Sequence, residues 1–426
     1  MPLHRGVTLL LFLSLCLAVQ AQTATLRPKD VREMGKGGAD AIPKLAALLS
    51  NPDFEIRLEA VKQIDEIDTQ HSLDPLIQAT RDSDAEIQIR ATDGLVNFYL
   101  PGYLKTGFGS SLRRVGTSIK GHFTDINDQV IDPYVTPRAD VIAALGALAR
   151  NGADENARAN AARAIGILRG KAAIPDLIQA MHSKSTPVIY ESLVALQKIR
   201  DPEAAPSIAF LLRDLDPKVQ VAAIETTGLL LNKSALPALV DVLNHTRDSK
   251  VRRAALTSIA MLPDPGSREI YARYIADKDE KMRAAAAEGF ARLKNPADLP
   301  MLEKAYQDEA KMSPRLSMAF AQVMLGKTQI SEFSPLQFLI DTLNSAAYHG
   351  VAFPFLVELA RDPAVRRSLY TPLLQGTRDE KIYLARVMAR SGDKNDAPQL
   401  EKLSHDPDPE VAQEGLRALK NLQART

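Results

Sequence analysis

Apolar residues along this chain fall three, four and seven positions apart, in short runs separated by polar turns. The stretch 234–264 shows the plan. Leu236, Leu239, Val240 and Leu243 form one stripe, and Val251, Ala255, Ile259 and Leu262 form a second. Spacing of this kind predicts two amphipathic helices, each with one face to bury. Pro237 sits in the first turn of the first helix, where its missing N–H costs no hydrogen bond. Asp248 is placed to cap the second helix, and Pro263 and Pro265 stop it. The plan recurs in Ile42, Leu45 and Leu49 followed by Ile56, Ala60, Ile64 and Ile67. It recurs again in Ile174, Leu177 and Ile178 followed by Val188, Leu193 and Leu196. Neither helix of such a pair can bury its stripe alone.

The plan keeps a period. Prolines recur near the start of an apolar helix at Pro43, Pro75, Pro175, Pro206, Pro237 and Pro300, 31 or 32 residues apart within runs. Turn aspartates recur at Asp53, Asp84, Asp216, Asp248 and Asp279 with the same spacing. A fixed period of one helical hairpin means a solenoid. The fold class is therefore all-α, an α-α superhelix of roughly ten stacked hairpins. With helices about 10 Å across, the stack predicts an arc on the order of 100 Å long.

Arginines stand four residues after a turn aspartate at Arg57, Arg252 and Arg283, as does Arg366 after Asp362 and Arg158 after Asp154. On these residues the chain resembles the HEAT-repeat family, in particular the short bacterial HEAT-like repeats of the phycobilin-lyase type. The resemblance covers about residues 39–100 and 138–426. It implies that Asp53, Arg57, Asp84, Asp216, Asp248, Arg252, Asp279 and Arg283 build a hydrogen-bonding ladder between repeats. Gln88 and Gln220 replace the arginine, and the repeat near Ser185 lacks the aspartate.

The domain layout follows. Residues 1–21 read as a signal peptide, 22–38 as a lead-in or cap, and 39–100 as HEAT-like repeats. Residues 101–137 form an insertion, and 138–426 resume the repeats, with an out-of-phase segment near 327–352. In the leader, Arg5 precedes an apolar run from Val7 to Val19, too short to span a membrane. Val19-Gln20-Ala21 fits a cleavage site. Cleavage would remove Cys16, the one cysteine, and Arg5, leaving 52 basic and 52 acidic residues. A neutral chain argues against a nucleic-acid partner. A chain without cysteine holds no disulfide, thiolate metal site or cysteine nucleophile. The expected location is exported, periplasmic or extracellular.

The insertion is the candidate binding element. Phe98, Tyr99, Tyr103, Phe108, Phe123 and Tyr134 are six of the 22 aromatics. Lys105, Arg113, Arg114 and Lys120 come first, and Asp125, Asp128 and Asp132 follow, with five glycines from Gly102 to Gly121. Long irregular segments often carry function; the bland alternative is a segment that folds back over a seam. Gly107-Phe108-Gly109-Ser110-Ser111 lacks the Gly-Lys ending of a nucleotide loop. Leu112, Val115 and Ile119 would make a short membrane-surface helix.

No catalytic, cofactor-binding or metal residue stands out. No two histidines have the i, i+4 spacing of a helical metal site, and no His-Glu dipeptide occurs. Such dipeptides hold the iron of deoxyhypusine hydroxylase, an enzyme of the resembling class. The expected function is a non-enzymatic scaffold or adaptor for a protein or peptide partner, with candidate contacts Tyr103, Phe108, Arg113, Arg114 and Lys120. The alternatives are a lyase- or chaperone-like protein handling a small ligand such as a tetrapyrrole, and a scaffold bound to a membrane surface. No cofactor is expected.

Overall fold

A computed structural model describes residues 26–103 and 130–426. These residues hold 23 α-helices and no strand. They stack as eleven hairpins in two rows. The inner row runs through Phe54–Ile67, Ala85–Tyr99, Glu155–Ile167, Thr186–Ile199, Pro217–Leu229, Ser249–Ala260, Glu280–Leu293, Met312–Met324, His349–Leu359, Arg378–Ser391 and Pro409–Arg425. Each inner helix packs chiefly on the inner helices before and after it. The lead-in helix Pro28–Gly35 packs on Phe54–Ile67 and so begins that row.

The predicted stripes are the core. Leu239 and Leu243 are buried, as are Val251, Ala255, Ile259 and Leu262. One continuous apolar core runs from Val31 to Leu422. Two glycines permit the closest approach of inner helices. A Cβ at Gly166 would stand 2.7 Å from Ala195 Cα, and one at Gly228 would stand 2.9 Å from Ser258 Cα.

Three details differ from the sequence expectation. The apolar run around Pro206 is a 3-10 helix, Pro202–Arg213, because a proline inside the run removes a donor and blocks the carbonyl four residues back. The out-of-phase segment is a link, 325–334, followed by the Pro335–Asp341 helix and a 3-10 turn, Thr342–Asn344. Asp362 caps Pro363–Ser368, which follows an inner helix and, with Tyr370–Gln375, leads the chain back to the outer row. The stack is also more tightly coiled than an open arc. The last inner helix touches the chain just before the third hairpin, 285 residues away.

Candidate functional site

The turn aspartates cap. Asp53, Asp216, Asp248 and Asp279 each accept the amide two residues on, at 2.7–2.9 Å. Asp84 takes the amide of Glu86 at 2.8 Å. Such caps satisfy donors that the first helical turn leaves open. Ser185 makes no cap; its hydroxyl donates to Glu155 at 2.7 Å.

The arginine ladder exists with different partners from those the resemblance implies. Arg57 donates to Asp82 at 2.8 Å and to the carbonyls of its own turn. Arg283 grips Glu309 at 2.7 and 2.9 Å. Asp82 and Glu309 each stand two residues before the next cap position. Arg252 is not the rung of its hairpin: Arg253 bonds Asp279 at 2.6 Å. Gln88 and Gln220 keep half of the arginine's work by donating to turn carbonyls at 2.6 and 3.0 Å.

A second ladder, which sequence reading missed, crosses the inner row. The residue nine past one cap meets the residue six past the next. Asp93 accepts from Asn160 at 2.9 Å, Arg163 donates to Glu191 at 2.8 Å, Ser317 donates to Glu288 at 3.1 Å, and Arg386 donates to Glu414 at 3.1 Å. Arg32 of the lead-in helix extends it to Glu59 at 3.0 Å. The ladder lapses in the middle of the stack. Glu225 stands opposite Ala254, and Thr257 opposite Ala285, by the same register. Burial, with no partner among the described residues to offset it, pushes the Glu225 carboxyl up to about 7.

A basin opens beside the lapse at Thr257 and Ala285, and the rungs Glu288–Ser317 and Arg386–Glu414 line it as well. Its volume is 1150 Å³, and Thr257, Ala284 and Ala285 are part of its floor. The last hairpins curl over to form the facing wall with Glu358, Arg386, Arg390 and Arg417. Ten of the lining residues are Lys or Arg and five are Asp or Glu. Several arginines lie over aromatic rings: Arg292 over Phe320 at 5.4 Å, Arg386 over Tyr383 at 5.3 Å, and Arg390 over Phe353 at 4.9 Å. Ring faces hold cations in place.

Arg292 is the best buried of them. It forms a two-pronged pair with Glu358 at 2.8 and 2.9 Å and reaches Glu288 at 3.3 Å. Burial alone would lower its pKa; the two carboxylates outweigh that and raise it. Burial raises the Glu288 carboxyl more than Arg292 lowers it. Arg169, Arg200 and Lys294 join the lining from the left-handed residues that close inner helices, with φ of 48°, 58° and 54°. Basic groups there face the helix C-terminal carbonyls.

A clasp shuts the coil. Asp132 accepts two bonds from Arg417, at 2.9 and 3.1 Å, and others from Asn421 and Tyr134, at 3.3 and 3.1 Å. Burial pushes the Asp132 carboxyl up, and these donors together bring it below its ordinary value. Ile131 anchors the strand of chain beside it: its side chain is buried, and its amide donates to the Ile167 carbonyl at 3.0 Å.

Among the predicted contact residues, Tyr103 is half-buried against the core. Phe108, Arg113, Arg114 and Lys120 lie outside the described residues. The stem of the insertion is structural: the Tyr99 hydroxyl accepts from the Arg138 amide at 3.0 Å, and Phe98 meets Tyr99 edge-on. Among the described residues, no group of His, Cys, Asp and Glu is arranged to hold a metal, and no helix is long and apolar enough to cross a membrane.

Two rows of stacked helical hairpins around a coiled inner surface define an α-solenoid repeat protein. The sequence profile of HEAT repeats matches residues 21–102, 142–209, 208–270 and 236–324. The chain belongs to the HEAT-repeat family. No curated protein matches it. Solved structures that it resembles include the complex of CpcE and CpcF of phycocyanin lyase from Nostoc sp. PCC7120. That likeness has 19% identity and a TM-score of 0.37, over 61% of this chain and 90% of that one. Importin beta is similar at 13% identity and a TM-score of 0.39, over 95% and 66%. Human deoxyhypusine hydroxylase in complex with glycerol is similar at 18% identity and a TM-score of 0.28, over 67% and 96%.

Proposed function

We propose that this HEAT-repeat protein is a non-enzymatic scaffold that holds a protein or peptide partner in the basin of its inner row, outside the cytoplasm. The observation that carries the reading is the basin itself, walled by side chains whose positions are fixed by ion pairs and aromatic rings. Preset groups lose little freedom when a partner arrives, which favours tight and selective binding. The insertion adds specificity through Phe108, Arg113, Arg114 and Lys120, while its stem closes the coil.

An affinity capture from the exported fraction tests this. The bait is the chain from residue 22, beside the same chain with Phe108, Arg113, Arg114 and Lys120 changed to Ser. A partner held only by the unaltered bait assigns recognition to the insertion. One held equally by both assigns it to the basin. Folded baits that hold nothing overturn the scaffold reading. Amino-terminal sequencing of the fractionated protein checks removal of residues 1–21.

A further inference from the structure

We infer that the occupant of the basin is an extended, acidic segment of the partner, with apolar residues interspersed; this rests on the scaffold reading above. The whole chain carries 53 basic and 52 acidic residues, yet among the described residues the basin wall carries twice as many bases as acids. Every acid among these has a partner. Glu358 and Glu288 share Arg292, Glu414 holds Arg386, and Asp132 holds Arg417. Asp362 takes the amide of Ala364. Lys281, Lys294 and Arg361 are exposed on the wall and form no ion pair with another described residue. Among the described residues, the wall therefore carries a net positive charge.

The shape selects the class of anion. The bases are strung along several inner helices rather than gathered at one point, so a distributed charge fits better than a single phosphate. The lapse in the inner ladder leaves Thr257, Ala284 and Ala285 on the floor, small enough for a polypeptide backbone to lie close. Val323, Met324, Val351 and Phe355 border that floor and would take apolar side chains. A nucleic acid would also be distributed, but it has no aliphatic side chains to fill the border of Val323, Met324 and Val351.

The test uses the full-length protein and a fluorescent twelve-residue peptide of alternating Glu and Leu, read by anisotropy at low and moderate salt. Expected is saturable binding that weakens with salt and weakens at least tenfold in the double variant Lys281→Glu, Arg361→Glu. Both positions are exposed, and circular dichroism and melting confirm that the variant is folded. Equal binding of a Lys/Leu peptide, no loss in the variant, or no saturation overturns the inference. Displacement by inorganic pyrophosphate at matched charge also overturns it, in favour of a small anion. Capture of one partner equally by the parent and the variant removes the acidic-segment inference but leaves the scaffold. Capture of none by either removes the scaffold.

Discussion

The two ends of the inner row are built from one repeat and carry opposite charge. At the N-terminal end, carboxylates crowd. Asp65 lies near Asp93 and Asp68, its Oδ1 has no hydrogen-bond partner among the described residues, and burial with these neighbours outweighs Arg90 and pushes it up to about 7. At the C-terminal end, arginines crowd, and each of Arg292, Arg386 and Arg417 is bound to a carboxylate. The hairpin thus fixes where a side chain points but not its sign. Neutrality over the whole chain therefore conceals a molecule with an acidic end and a basic basin.

The largest effect is expected on removing the centre of the basic end. Arg292→Met leaves Glu288 and Glu358 facing each other without their cation. It is expected to cost about 3–5 kcal/mol, as breaking a buried pair does, read from urea unfolding. A loss no greater than that of an exposed arginine would mean that the basin is not prearranged.

The next test asks whether unpartnered acids weaken the stack. A carboxyl whose folded pKa is raised binds more protons folded than unfolded, so it costs stability as pH rises from its unfolded value through its folded one. For Glu225 that window runs from about 4.5 to about 7. Glu225→Gln should therefore stabilise the protein at pH 8 by roughly 1–3 kcal/mol and change little at pH 4. Asp65→Asn should behave alike, with the same sign. Melting curves at the two pH values decide it.

The clasp is a smaller effect on stability and a larger one on shape. Asp132→Asn should cost about 1–2 kcal/mol and widen the coil, seen as a larger radius of gyration in X-ray scattering. Because the Asp132 pKa is lowered, the clasp of the unaltered protein holds above the ordinary carboxylate range and is lost only as pH falls below it. The smallest effect belongs to the turn ladder. Arg57→Gln should cost less than about 1 kcal/mol, since Gln88 and Gln220 occupy that register and still bond turn carbonyls.

The hairpins were legible because a stripe of Leu, Ile and Ala at helical spacing has one physical solution, burial against a neighbour. Val251, Ala255, Ile259 and Leu262 illustrate it: four positions, all buried. Capping was legible because an aspartate before a helix has few other uses. The arginine partners were not, because Asp82 and Asp84 are both in reach of a turn, and only the fold tells the cap from the rung. The inner ladder left a signal that went unread. Arg163 to Glu191 and Arg386 to Glu414 each span 28 residues, one repeat less one helical turn. Once the phase of the repeat is known, that offset finds the pairs, and the alanines at 254 and 285 mark the lapse. The basin and the clasp had no such signal. Both depend on small rotations accumulated over many hairpins, and no local pattern records their sum.

Stacks of repeats ordinarily unfold piecemeal, because each unit touches only its neighbours. The contact from Asp132 to Arg417 removes that freedom. It ties the third hairpin to the last, so fraying from the C-terminus must first break a bond to a distant repeat. In the unfolded chain, closing a loop of that length is costly on entropy grounds; in the finished stack the two ends are already side by side. The clasp is therefore expected to form late in folding. While it holds, the hairpins it spans are coupled rather than independent, and the join lies at the doorway to the basin.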